Sequence, residues 1–139
     1  MTKSQTRAAV HELYGAYERR DVERFTALIH DDIDWMIYGP ISIFPFAGPR
    51  QGRQQVLDAL KAIEGDYAVE AYRPEVIVVD GDRAAVMSDV TFRQKSSNRI
   101  LRFRIADFLR FADGKVIEFR EFSNTFDVVE QALGRELPL

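Results

Sequence analysis

From Tyr67 onward the chain is an almost unbroken succession of strand-like runs. AVEAYRPEVIVVD, DRAAVMSDVTFRQ, RILRFRIADFLRF and KVIEFREFSN follow one another with only Asp80-Gly81-Asp82, Ser96-Ser97-Asn98 and Asp113-Gly114 between them. A parallel crossover needs a dozen or more residues, so strands joined this closely pair as antiparallel hairpins. Asp-Gly is the strongest of these turn signals, because a two-residue hairpin turn needs positive φ at both positions. The second half of the chain is therefore expected to form an antiparallel meander. Pro74 cannot donate to a ladder and marks an edge position or a bulge in the first of these strands.

A sheet with one apolar face must be covered, and the first half of the sequence supplies the cover. Val10, Leu13, Tyr14 and Tyr17 recur at helical spacing and predict an amphipathic helix from about Ser4 to Arg19. Asp21 is a candidate N-cap for a second, short helix carrying Val22, Phe25, Leu28 and Ile29. In IDWMIY, Ile33, Trp35 and Ile37 alternate with polar positions, the period of a strand. The Pro- and Gly-rich stretch GPISIFPFAGPRQG reads as a loop. Val56, Leu57, Leu60 and Ile63 then mark a third helix, which Gly65 is placed to end in a left-handed conformation. The tail TFDVVEQALG closes the chain with a short helix. The expected fold is α+β: three N-terminal helices packed on a curved antiparallel sheet, as a single domain spanning 1–139. The concave space between helices and sheet is where a small molecule would sit.

Several function classes fall away on composition. The chain has no cysteine, which removes disulfides, thiolate metal sites and a cysteine nucleophile. A net charge of −3, with Lys and Arg scattered among Asp and Glu, gives no basic stripe for nucleic acid. The N-terminal segment lacks the continuous apolar stretch of a signal peptide or a membrane span, so no membrane partner and a cytoplasmic setting are expected. His11 and His30, the two histidines, have no second ligand at metal spacing and read as polar helix positions, so no metal or cofactor is expected. No G-x-G-x-x-G, P-loop or G-x-S-x-G motif is present.

Strand parity picks out the chemistry. In RILRFRIADFLRF, Asp107 shares a face with Phe103, Ile105, Leu109 and Phe111, while Arg102, Arg104 and Arg110 lie on the other. In the next strand Glu121 falls with Ile117 and Phe119, opposite Glu118 and Arg120. A carboxyl among apolar side chains loses hydration and its pKa rises, which fits it for general acid or base work. Two such groups close together share a proton. The hairpin about Asp113-Gly114 sets Asp107 and Glu121 at similar heights, and these two are the candidate catalytic residues. The alternative is that both are satisfied by hydrogen bonds or by an arginine from elsewhere and do no chemistry. Candidate pocket residues are Tyr14 and Tyr17 on the inner stripe of the first helix, Trp35, Phe46, Phe103 and Phe119. Trp35 and Tyr38 point to opposite faces of their strand, so one of them at most is expected at the pocket. Asp89 reads as outward-facing.

These segments resemble a known family. RRDVERFTALIHDDIDW after a first helix, FAGPRQGRQQVLDAL, and ADFLRFADGKVIEFREF near the end are similar to the NTF2-like superfamily, close to its SnoaL-like and ketosteroid isomerase-like members. The resemblance covers nearly the whole chain and implies a cone-shaped fold with a pocket inside the cone. Resemblance to ketosteroid isomerase sets Asp107 where that family holds the protonated aspartic acid of its oxyanion hole. That family's general-base Asp falls at or beside Ile37, where no carboxylate stands. Its catalytic Tyr aligns near Leu13, with Tyr14 one residue off and Tyr17 one turn on. Resemblance to the SnoaL-like cyclases sets Asp107 and Glu121 at the acid/base pair of the last two strands. Glu121 also matches the inward carboxylate of limonene epoxide hydrolase, although SDVTF lacks that enzyme's Arg.

Residues and resemblance together predict a cofactor-independent acid/base enzyme of isomerase, cyclase or hydrolase type, acting on an apolar carbonyl or polycyclic compound. Glu121 is expected to be the ionised base, with Asp107 donating to the developing enolate; the alternative is the same pair with the two roles exchanged. The alternative is a non-catalytic module of the same fold that binds a small hydrophobic molecule or serves only as a structural dimer unit. The resemblance further implies a homodimer through the outer face of the sheet.

Overall fold

The hairpins set the architecture. In the computed structural model, which describes residues 1–139, β3 (Tyr67–Asp80), β4 (Arg83–Gln94), β5 (Ile100–Ala112) and β6 (Lys115–Ser123) pair antiparallel in chain order. Asp113 and Gly114 both take positive φ, 54° and 75°, as the hairpin signal requires. Pro74 lies on the edge strand, and the ladder register shifts between it and Val76.

The N-terminal half completes the sheet and covers one of its faces. Helix α1 (Lys3–Glu18) opens with a reciprocal capping box between Thr2 and Gln5, and α2 (Val22–Ala27) is capped by the Asp21 side chain. Then come β1 (Ile29–Ile37), the short strand β2 (Gly48–Gln51) and α3 (Arg53–Asp66); α4 (Thr125–Leu133) closes the chain and ends at Gly134 with φ 72°. Helix α1 lies on β3 and β4, α3 on β1 to β3, and α4 on β5. One contiguous core of 29 buried side chains fills the space between these layers. No helix is long and apolar enough to cross a membrane.

Five local expectations are corrected. The sheet, in the order β2-β1-β6-β5-β4-β3, is mixed, because β1 pairs parallel to β6. No tight turn links those two strands, so nothing forces them antiparallel. The segment read wholly as a loop contains β2, which tolerates Pro49 because it is an edge strand. Ile29 starts β1 and does not end α2: the Val116 N–H donates to Leu28 O, and Ile29 pairs with Val116. His30 therefore stands in a strand and not a helix, with Nε2 3.4 Å from Asp113 Oδ2. Gly65 does not terminate α3; the helix runs to Asp66 and passes straight into β3 through an extended Tyr67.

The β5–β6 ladder carries a bulge that parity alone does not reveal. Near the turn Phe111 pairs with Val116, but beyond it Arg110 pairs with Glu118, so Ile117 is the extra residue. Val116, not Ile117, is consequently the buried member beside the turn. Without this insertion the register set by the turn would place Arg120 opposite Asp107; with it, Glu121 stands there.

The two kinds of glycine make opposite predictions. Gly114→Ala is expected to destabilise the protein by about 1 kcal/mol, because the position needs positive φ and has no neighbour to relieve. Gly65→Ala, in open space on a helix, is expected to stabilise it by about 0.5 kcal/mol. Urea denaturation of the two variants checks both signs.

Candidate functional site

Asp107 sits opposite Glu121 on adjacent strands, and no part of its side chain reaches solvent. Its Oδ2 accepts a hydrogen bond from the Tyr14 hydroxyl at 2.6 Å and a longer one from Tyr72 at 3.5 Å. Its Oδ1 is buried with no hydrogen-bond partner, and Glu121 stands opposite on the neighbouring strand, close enough for the two carboxyls to titrate together. Two ionised carboxylates present only acceptors to each other and repel, so the pair favours a state that keeps a proton.

Burial strengthens that preference. Removal from water pushes the Asp107 carboxyl up to about 7, with the bonds from Tyr14, Glu121 and Tyr72 pulling the other way. Glu121 is raised well above the ordinary carboxyl range, first by burial, then by the charge of Asp107 and its hydrogen bond to that group. Both carboxyls are thus held toward their protonated forms, so the pair carries at most one negative charge near neutral pH. Burial together with the charge of Asp107 also raises the Tyr14 and Tyr72 hydroxyls well above the usual tyrosine range, which keeps both as donors.

A hollow between helices and sheet adjoins this cluster, with about 860 Å³ of space free of protein atoms, part of it open to solvent. Tyr14, Tyr17, Trp35, Phe46, Phe103 and Phe119 all line it. Trp35 stacks on Phe119 with ring centres 4.0 Å apart, and Tyr17 meets Tyr72 edge-on at 5.0 Å. The Arg20 guanidinium lies 4.8 Å over the outer side of Tyr17. Glu121 also lines the hollow, and its remaining exposure is toward it.

Asp107 does not line the hollow: it lies behind Glu121 and Tyr14 and touches a ligand only through them. Direct donation from Asp107 to a substrate oxygen is thereby removed from the chemistry. Trp35 and Tyr38 do point to opposite faces, yet both border the hollow. Tyr38 lies just past the end of β1, where it reaches the rim while its ring stacks on the outward Phe122. Asp89 is exposed, as parity indicates.

The residue that sequence reasoning missed is Tyr72. Tyr67 and Tyr72 stand five positions apart, an odd offset, so strict alternation sets them on opposite faces. The register shifts between Val69 and Ala71, and both rings are buried. Only the bulge turns Tyr72 inward, and no turn residue in that segment announces it.

The comparisons agree with this architecture. Among solved structures, the chain is similar to one from Rhodopseudomonas palustris described as a "putative isomerase", with 37% identity, 97% of this chain and 100% of that chain covered, and a TM-score of 0.83. An NTF2-like protein from Burkholderia xenovorans is 25% identical over 95% of this chain and 98% of its own, with a TM-score of 0.82. An LEH-like epoxide hydrolase from M. tuberculosis shares the fold at 16% identity, covering 95% of this chain and 92% of its own, with a TM-score of 0.76. No curated protein matches the chain. The sequence profile of the SnoaL-like domain matches residues 10–119, most of the fold built around the Asp107 and Glu121 pair, and the protein belongs to the SnoaL-like family of NTF2-like proteins.

Proposed function

We propose that the protein is a small-molecule acid/base enzyme, of isomerase, cyclase or hydrolase type, acting on an apolar carbonyl or polycyclic compound held in the hollow. The observation that carries this reading is Glu121: a carboxyl on an otherwise largely apolar wall, backed by a second carboxyl that solvent does not reach. Structural ion pairing does not account for the pair, since the salt bridges of the chain involve neither residue, and each is held by hydroxyls or by the other. The descriptions of the similar R. palustris and M. tuberculosis proteins, a "putative isomerase" and an "LEH-like epoxide hydrolase", fit the same chemistry.

The pair works as a unit with one proton and one negative charge. As the outer oxygen of Glu121 takes a proton from the carbon next to a substrate carbonyl, its inner proton passes to Asp107 Oδ1. The pair then holds two protons and no charge, and the substrate is an enolate. Neutral Asp107 is a weaker acceptor for Tyr14, whose hydroxyl is freed to donate to the enolate oxygen. Returning the proton from Glu121 to another atom of the substrate completes an isomerisation. The same acid protonates an epoxide oxygen or the oxygen of a cyclising ketone.

A homodimer through the outer face of the sheet is part of the proposal. That face exposes Met87, Phe108 and Phe122 beside Tyr38, with Tyr38 stacked on Phe122 at 4.6 Å and Phe108 edge-on to it at 5.9 Å. Clustered exposed aromatics of this kind mark interaction surfaces.

Three outcomes test the reading. Incubation of small cyclic ketones in D₂O should show enzyme-dependent deuterium uptake next to the carbonyl by mass spectrometry, and Glu121→Gln should slow it by about 10² or more with the fold intact; equal uptake with Glu121→Gln removes that residue from the mechanism. Below about pH 7 the folded pair holds a proton on Asp107 in addition to the one on Glu121, whereas an ordinary aspartic acid loses its proton near 3.8, so the native state holds more protons between those values; above about pH 7 the pair carries the one proton and one charge that the mechanism uses. Stability should therefore fall as pH rises across that interval, and Asp107→Asn should flatten the fall in thermal melts followed by circular dichroism. Phe108→Glu combined with Phe122→Glu should halve the mass seen by light scattering on a sizing column while leaving the circular dichroism spectrum unchanged.

A further inference from the structure

Outside the aromatic side chains, polar groups in the hollow fall on one rail. Apart from Gly39 and the aromatic rings, the residues of its wall that are not hydrophobic are Glu121, Ser123 and Thr125. They alternate along the chain, so Phe119, Glu121 and Ser123 share the inner face of β6, and Thr125 continues the line as the first residue of α4. Adjacent members of such a row are about 7 Å apart along a strand. The row runs from the Asp107 cluster toward the end of the hollow where the end of β1, the β1–β2 loop and α4 meet. Gly39 marks that junction: a Cβ there would stand 3.6 Å from Ala47 Cβ, 3.8 Å from Phe44 and 3.9 Å from Thr125 Cγ2.

The two hydroxyls are not used by the fold. Asn124, between them, caps α4 by accepting from the Asp127 N–H at 3.2 Å, but neither Ser123 Oγ nor Thr125 Oγ1 bonds to any protein group. Both residues are half-buried beside Val128 and Phe103. Both hydroxyls are left free to bond to a ligand oxygen, and a ligand that covers them without supplying one strips them of water uncompensated.

We infer that Ser123 and Thr125 form a second polar subsite, and that the substrate is an apolar ring compound carrying two oxygen functions: the reactive carbonyl at Glu121 and a hydroxyl or second carbonyl one strand step farther along β6. The inference rests on the acid/base reading of Glu121 and names the class of compound that reading left open. A hydrocarbon ketone with a single oxygen fills the hollow but leaves the second station unpaired, so discrimination comes from an unsatisfied polar group and not from shape.

Two planar probes differing by one remote hydroxyl test this, 2-naphthol and 2,6-dihydroxynaphthalene, each titrated into the protein by calorimetry. The dihydroxy compound should bind about tenfold tighter. In Ser123→Ala combined with Thr125→Val the preference should vanish while 2-naphthol keeps its affinity, which also reports that the variant is folded; Ser123→Ala alone should lose part of the preference. Equal binding by the wild-type protein, or a preference that survives in the double variant, overturns the subsite and leaves the acid/base reading standing. Glu121→Leu should weaken both probes alike. If it weakens neither, or if the wild-type protein binds neither probe, the reading of Glu121 fails and the subsite falls with it.

Discussion

The facing of two carboxyl groups in a largely apolar interior organises this molecule. Asp107 is wholly out of water and Glu121 mostly so, and two bare charges at that depth repel strongly. Burial raises both carboxyls toward their protonated forms, which limits the charge of the pair, and the Tyr14 and Tyr72 hydroxyls both donate to Asp107 Oδ2. The arrangement ties α1 to β5 across 93 residues of sequence, so the first helix is anchored on the sheet at the point where the chemistry is placed. Its net charge is delocalised over four side chains, and that lets a carboxyl survive in the wall of a hollow whose other surfaces are mostly apolar.

Two irregularities in the sheet make that cluster possible. The Ile117 bulge moves β6 by one residue and exchanges Arg120 for Glu121 opposite Asp107. The shift between Val69 and Ala71 turns Tyr72 inward. Each locally disrupts the ladder, bends the strand and adds twist. The departures from regular pairing thus lie on the strands that deliver polar groups to the site, where a regular ladder would deliver apolar ones or an arginine.

Much of this was legible in the chain. The four hairpin strands, Asp21 as a cap and Pro74 at an edge follow from local rules that operate over a few residues. The inward placement of Asp107 among Phe103, Ile105 and Leu109 follows from alternation alone. The order of the two acids was not legible, because the protonation of each depends on the other and on two tyrosines distant in sequence. The burial of Asp107 behind Glu121 was equally hidden: alternation says which face a residue takes, not which residue of that face meets the hollow. Ile29 and Gly65 misled for a simpler reason, since an apolar residue after a helix and a glycine near its end fit either continuation until a strand partner decides.

The sequence by itself determined the meander, the helices that cover it and the presence of two acids on the inner face, because turn chemistry and side-chain periodicity are local properties of the backbone. Tertiary structure alone decided the parallel pairing of β1 with β6, the facing of Asp107 with Glu121, the recruitment of Tyr14 and Tyr72, and the rail of Glu121, Ser123 and Thr125 along the hollow. Those depend on one-residue shifts in register and on which distant elements share a wall, and a shift of one residue reverses every face beyond it.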